Sequence, residues 1–257
     1  MELWREAISS LPTTAAPTRL CLGSLKELDV TTYILWDVDG TLVRNGKDAG
    51  NLYHEAVELA VGRAIANRLP NTHGKTDGQI LRETLAAHGL PEELHSAASQ
   101  HLDELSLRRH EAGNHRELCP GVHEALAATA ARGWVNSLLT GNSALRSRYK
   151  VSGAGVDPSV FDWQHSWFGE VSPVRSDLTL RARAELPDDT LVIVGDTLND
   201  NAAAAIAGIP FIGVATGVFT AGELRGTGAL AVIDDLASGL DVLLNAVESI
   251  RTPLSTP

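Results

Sequence analysis

Short runs of apolar residues, four to six long, punctuate this chain at fairly even intervals. They are Tyr33–Trp36, Trp134–Leu139, Leu191–Val194, Phe211–Val214 and Leu230–Ile233. They are rich in Val, Ile and Leu, and most run on without polar alternation, which suits parallel strands buried on both faces. Between them lie stretches with helical periodicity: Val122–Arg132, Ser143–Lys150, Asp177–Leu186, Asn199–Ala207 and Leu236–Ile250. Gly133 and Gly208 stand where glycines close helices. Strand and helix in alternation predict an α/β fold around a mostly parallel sheet.

One region departs from this alternation. From about Gly50 to His115 strand signal is scarce, and Asn51–Arg68, Asp77–His88 and Glu92–Glu111 read as three helices. Pro70–Asn71, Gly89–Pro91 and Gly113–Asn114 punctuate them. A helical insertion after the first strand predicts a cap over the sheet. The expected organisation is therefore an extension over 1–30, a catalytic core from 31–48 and 116–251, a helical cap over 49–115, and a tail at 252–257. Ser9 to Thr18, rich in Ser, Thr, Ala and Pro, has the composition of a linker or a loosely docked arm.

Charge and composition narrow the partners. The 257 residues carry a net charge of −11, and no Lys/Arg cluster supplies the basic face of a nucleic-acid binder. The same charge opposes binding to anionic membrane surfaces. Any anionic ligand must be held by local charge. Two cysteines, Cys21 and Cys119, lack metal-ligand spacing and read as free thiols of a reducing compartment. With no apolar run of signal-peptide or membrane-spanning length, the expected location is cytoplasmic and the expected state a monomer or homodimer.

Polar residues close three of the apolar runs. The first ends in Asp37-Val38-Asp39-Gly40-Thr41-Leu42. Residues two apart on an extended segment share a side, so Asp37 and Asp39 can face one site, where their repulsion calls for a cation or a shared proton. Asp-Gly is also a common turn. An EF-hand loop is excluded, because Gly40 is fourth rather than sixth and Asp48 stands where Glu is required. The second run closes in Thr140-Gly141-Asn142, which can hold phosphate oxygens through a hydroxyl and free N–H groups, or cap the helix from Ser143. The third closes in Gly195-Asp196-Thr197-Leu198-Asn199-Asp200, an acidic site or a capped helix start. In open α/β sheets, ligands bind at the carboxyl ends of the strands, where all three segments fall.

Together these segments resemble the haloacid dehalogenase superfamily, over about Tyr33 to Ile250. Asp37-x-Asp39-Gly40-Thr41 resembles its first motif, Thr140 its second and Gly195-Asp196-Thr197-x-x-Asp200 its acidic motif. Thr140-Gly141-Asn142 and Gly217–Gly228 are similar to its phosphoglycolate-phosphatase-like members. The resemblance implies a Rossmann-like parallel sheet with an inserted α-helical cap. It also implies Mg²⁺-dependent hydrolysis of a small phosphorylated metabolite. Asp37 would be the nucleophile that forms an aspartyl-phosphate, and Asp39 the general acid and base. The implied Mg²⁺ ligands are Asp37, Asp39 (through its backbone carbonyl), Asp196 and Asp200. Gly40, Thr41, Thr140, Gly141 and Asn142 would surround the phosphoryl group. The family places a lysine, often followed by proline, before the acidic motif; here Arg175, in Pro173-Val174-Arg175, is the residue for that role and Lys150 the alternative.

The cap stretch Thr72-His73-Gly74-Lys75-Thr76-Asp77 reads two ways. Lys75 is a candidate substrate contact, and Thr76 with Gln79 forms a capping box. The spacing of His88, His95, His101, His110 and His115 predicts surface histidines rather than metal ligands, and Trp163 and Trp167 read as packing. Rival activities are a phosphoryl-transferring mutase, a dehalogenase (opposed by Asp39 and the Asp196/Asp200 pair) and a non-catalytic phospholigand-binding protein.

Overall fold

The computed structural model describes residues 30–46, 49–66, 68 and 71–251. The expected extension (except Val30) and tail lie outside these. Six strands form one parallel sheet: β1 (Thr32–Trp36), β2 (Val135–Thr140), β3 (Trp167–Phe168), β4 (Thr190–Gly195), β5 (Phe211–Val214) and β6 (Ala231–Ile233), in the order β3-β2-β1-β4-β5-β6. This is the expected α/β, Rossmann-like sheet. The central strand explains why its run is continuously apolar. Ile34 and Trp36 enter one buried layer, with Val192, Val194 and Ile212. Tyr33 and Leu35 enter the other, with Leu191, Ile193 and Phe211. Both faces of β1 are covered, so neither set of alternate positions is polar.

Helices α1 (Ala49–Val61), α2 (Asp77–Ala87) and α3 (His95–Glu111) are inserted between β1 and β2 and pack round their own core of Leu52, Val57, Ile80, Leu81, Leu102 and Leu105. The first helix is shorter than its sequence pattern. It stops at Val61, where Gly62 turns left-handed with φ 71°. A 3₁₀ turn over Glu92–Leu94 precedes α3.

The remaining helices flank the sheet: α4 (Val122–Ala131), α5 (Ala144–Gly153), α6 (Ser176–Glu185), α7 (Leu198–Ile206), α8 (Ala221–Arg225) and α9 (Leu236–Arg251). The short α8 has no counterpart in the sequence pattern. Two other expectations are corrected. His95 is buried, with Nε2 3.2 Å from the Gly78 carbonyl, and is not a surface histidine. Thr76 caps α2 by accepting from Gln79 N, but the Gln79 side chain turns to Glu83, so the capping box is only half made. Trp167 is buried in β3, and Trp163 stacks on Phe168 at 5.8 Å, both as packing. No helix among the described residues is long and apolar enough to cross a membrane.

Candidate active site

The strand order sets β1 between β2 and β4, so the polar ends of these three strands meet. Trp36 is level with Leu138 on one side and Val194 on the other, and Asp37 N donates to the Val194 carbonyl at 2.9 Å. One step beyond the ladder, carboxylate oxygens of Asp37, Asp196 and Asp200 all lie within 4.8 Å of one another, and all three residues are buried. The N-cap of α7 is Thr197, which accepts from Asp200 N while Asp200 Oδ2 accepts from Thr197 N at 3.0 Å. The capping reading and the acidic-site reading of this segment are therefore both satisfied. One carboxylate oxygen of Asp200 is used by the cap and the other faces the cluster.

Arg175 closes the cluster from the turn before α6. It is 6% exposed, donates through Nη2 to Asp37 Oδ1 at 2.7 Å and to the Leu139 carbonyl at 3.2 Å, and brings Nε within 2.6 Å of Asp200 Oδ1. The guanidinium thus ties together the ends of β1, β2 and β4. Its charged form is favoured further, because the neighbouring acids outweigh burial.

Burial pushes the Asp37 carboxyl up to about 6 against the pull of Arg175, and Asp200 adds to the rise. Burial and repulsion from Asp37 and Asp200 raise the Asp196 carboxyl well above its ordinary value. Fully ionised, the three carboxylates against one guanidinium would leave two negative charges in excess, and this repulsion adds to burial in holding protons on Asp37 and Asp196. Asp196 Oδ2 is buried without a hydrogen-bond partner, and its Oδ1 is 3.5 Å from the Thr41 hydroxyl that donates to it. A hard divalent cation fits such a site on charge and donor type. Two glycines make space for the Asp196 carboxylate. A Cβ on Gly40, which is left-handed at φ 84°, would fall 2.2 Å from Asp196 Oδ2, and one on Gly217 would fall 1.5 Å from it.

Asp39 has different surroundings. Its carboxylate is outside the group of three acids, accepts from Asn142 Nδ2 at 2.8 Å, and pairs with Lys150. Burial opposes its ionisation, but Lys150 and the two hydrogen bonds prevail and hold the carboxyl down at about 2. Asn142 also donates to Thr140 Oγ1 at 2.8 Å and accepts from Lys150 Nζ at 2.6 Å, so it is a link between these groups and not the cap of α5. Ser143 is that cap. Asp39 lines a cavity of about 470 Å³ under the cap, with Tyr53, Thr72, Tyr149 and Lys150 among the other walls. This size suits a small metabolite.

The cap loop docks on β2 and α7. Asp77 N donates to the Gly141 carbonyl at 2.7 Å, and Asn199 Nδ2 donates to the Gly74 carbonyl at 3.3 Å. Lys75, from the same loop, pairs with Glu83 at 2.5 Å and is not among the cavity walls. Sequence reasoning missed the polar joint beneath. Tyr53 Oη donates to Asp77 Oδ1 at 2.7 Å, Asp77 pairs with Arg146, Ser143 N donates to Asp77 Oδ2 at 2.8 Å, and Ser143 Oγ donates to Asp103 at 2.5 Å. No local pattern around Tyr53 or Arg146 signals that these polar residues face inward.

A parallel α/β sheet with a helical cap and a buried acid cluster at its strand ends defines a capped Rossmann-like scaffold. Residues 176–239 match the family model described as HAD-hydrolase-like. No curated protein sequence matches the chain. Among solved structures it is similar to CbbY of Rhodobacter sphaeroides in complex with phosphate (TM-score 0.60, 21% identity, 82% of this chain and 96% of that one). It is also similar to a predicted phosphatase of Clostridium acetobutylicum (0.60, 16%, 84% and 99%) and to a hydrolase of Pseudomonas syringae (0.56, 20%, 84% and 98%). By fold the chain is similar to these capped structures, and its residues 176–239 are similar in sequence to the HAD-hydrolase-like family.

Proposed function

We propose that this protein hydrolyses a small phosphate monoester with Mg²⁺, using Asp37 as nucleophile and Asp39 as general acid and base. The observation that carries the reading is the division of the two aspartates. Asp37 lies in a buried cluster with three carboxylates and one guanidinium, and Asp39 lines a cavity able to hold a leaving group. Asp37, Asp196 and Asp200 would hold Mg²⁺, with the Asp39 backbone carbonyl as a further ligand. The bound ion would neutralise charge on the acids and on the phosphoryl oxygens.

The chain's own groups supply the other steps. Asp37 Oδ attacks phosphorus, and Arg175 holds that carboxylate and offers a guanidinium to the incoming phosphoryl group. Thr41, Thr140 and Asn142, with N–H groups near Gly40 and Gly141, surround the oxygens. Asp39, ionised in the free protein, would take up a proton as the substrate's phosphate charge comes beside it, and give that proton to the leaving alkoxide. It then takes one from the water that attacks the aspartyl-phosphate. Lys150 and Asn142 orient it, and substrate charge near it opposes their hold on its carboxylate form. Lys75, held by Glu83, would reach substrate only by leaving that pair.

The test is phosphate release from a panel of esters with and without Mg²⁺. Asp37→Asn should remove turnover altogether, and full activity in that variant would falsify the assignment. A mutase is the second reading. It is favoured by a further structural relative, from Thermotoga maritima, that carries the name β-phosphoglucomutase (TM-score 0.52, 19% identity, 84% of this chain and 99% of that one). Free phosphate as product, rather than an isomerised sugar phosphate, separates the two.

A further inference from the structure

The cavity beside Asp39 is more basic than the reaction centre needs. Lys150 is matched by Asp39, and Arg146 by Asp77. Arg109 and Arg116 also line it, and neither has an ion-pair partner among the described residues. Both are half-buried. The guanidinium of Arg116 lies over Gly46, where a Cβ would come within 1.2 Å of Nη1, so the chain leaves room for it at the cavity wall. Arg109 belongs to the last turn of α3, where cations complement the helix dipole. Arg108 already serves that role, and the dipole does not require a cation facing the cavity.

The net charge of −11 gives anions no general attraction to this protein. Two guanidiniums with no ion-pair partner among the described residues, in one semi-enclosed cavity, therefore create a local field of the opposite sign. Asp39 marks the end of the cavity nearest the reaction, so the leaving group occupies the same space as the arginines. We propose that Arg109 and Arg116 bind a second anionic group, carboxylate or phosphate, on the leaving-group side. The substrate would then be a phosphate ester with a second anion rather than one with a neutral polyol or nucleoside. This inference rests on the hydrolase reading above.

The experiment compares esters matched apart from the second anion. Glycerol 3-phosphate is set against 3-phosphoglycerate for a carboxylate, and glucose 6-phosphate against glucose 1,6-bisphosphate for a phosphate. At least one doubly anionic ester should exceed its partner in kcat/KM by about tenfold or more. Arg109→Gln and Arg116→Gln should each reduce that ratio by about tenfold, mainly through KM. Arg109→Lys and Arg116→Lys, which keep charge and bulk, should retain most of it, so general misfolding is separable. No preference in the native protein, or a ratio unmoved in both Gln variants, overturns the inference. Calorimetric binding of the doubly anionic esters to the Asp37→Asn protein separates the two readings. Binding that weakens with Arg109→Gln upholds the subsite even if no ester is turned over. Turnover with an unchanged ratio upholds the hydrolase and discards the subsite.

Discussion

Replacing Arg175 by Met keeps most of the side-chain volume and removes the only cation paired with Asp37 and Asp200 among the described residues. Breaking a buried pair by deleting one partner costs about 3–5 kcal/mol, because the other charge is left uncompensated. Here Asp37 and Asp200 both lose a partner, and Asp196 stands beside them. The expected loss in metal-free buffer near neutral pH is therefore about 3–5 kcal/mol. For a protein of this size that is a fall in Tm of roughly 6–20 °C.

The pH dependence has a definite sign. Asp37 is raised from an ordinary 3.8 to about 6 in the fold, so the folded state holds its proton longer than the unfolded state. Its contribution favours folding below about pH 4 and is lost as pH rises through about 6. Without the guanidinium the carboxyl rises further and the loss extends to higher pH. The deficit of Arg175→Met should therefore shrink as pH falls toward about 5, where the acids take up protons. Asp39, held at about 2, stays ionised across that window and contributes nothing to the slope. The assay is urea unfolding in chelator across this range, repeated with Mg²⁺, which should recover part of the loss in both proteins. A deficit under about 1 kcal/mol, or one that grows toward low pH, would refute the account of the cluster as a buried charge excess.

Two other perturbations probe the site and its cover. Gly217→Ala puts a Cβ 1.5 Å from Asp196 Oδ2 and forces that carboxylate to move, so the Mg²⁺ midpoint for activity and for thermal protection should rise roughly 10–100-fold. An unchanged midpoint would remove Asp196 from the metal site. Arg146→Met breaks the pair with Asp77, whose side chains are each 3% exposed, at a cost of about 3–5 kcal/mol. Hydrogen exchange should then quicken throughout α1, α2 and α3, whereas faster exchange confined to α5 would deny the joint a role in seating the cap.

The sheet was legible in the sequence because its signal is local. A strand covered on both faces must be apolar throughout, and Tyr33–Trp36 and Leu191–Val194 announce that without reference to any neighbour. The acids were legible for the same reason: Asp37, Asp39, Asp196 and Asp200 each stand just past an apolar run. Strand order then brought together what the chain keeps apart. Arg175 lies 138 residues from Asp37, and only the placement of the turn before α6, a helix packed on β2, β3 and α7, chose it over Lys150, which the fold gives to Asp39 instead. Tyr53 and Arg146, 93 residues apart, meet in a joint to which no pattern in either helix points. His95 read as a surface residue because polar type is a poor guide to burial once a carbonyl such as that of Gly78 satisfies it. Sequence determined the strand ends and their chemistry through short-range periodicity. Tertiary structure alone decided which cation faces which acid, since that depends on the direction of side chains from elements far apart in the chain.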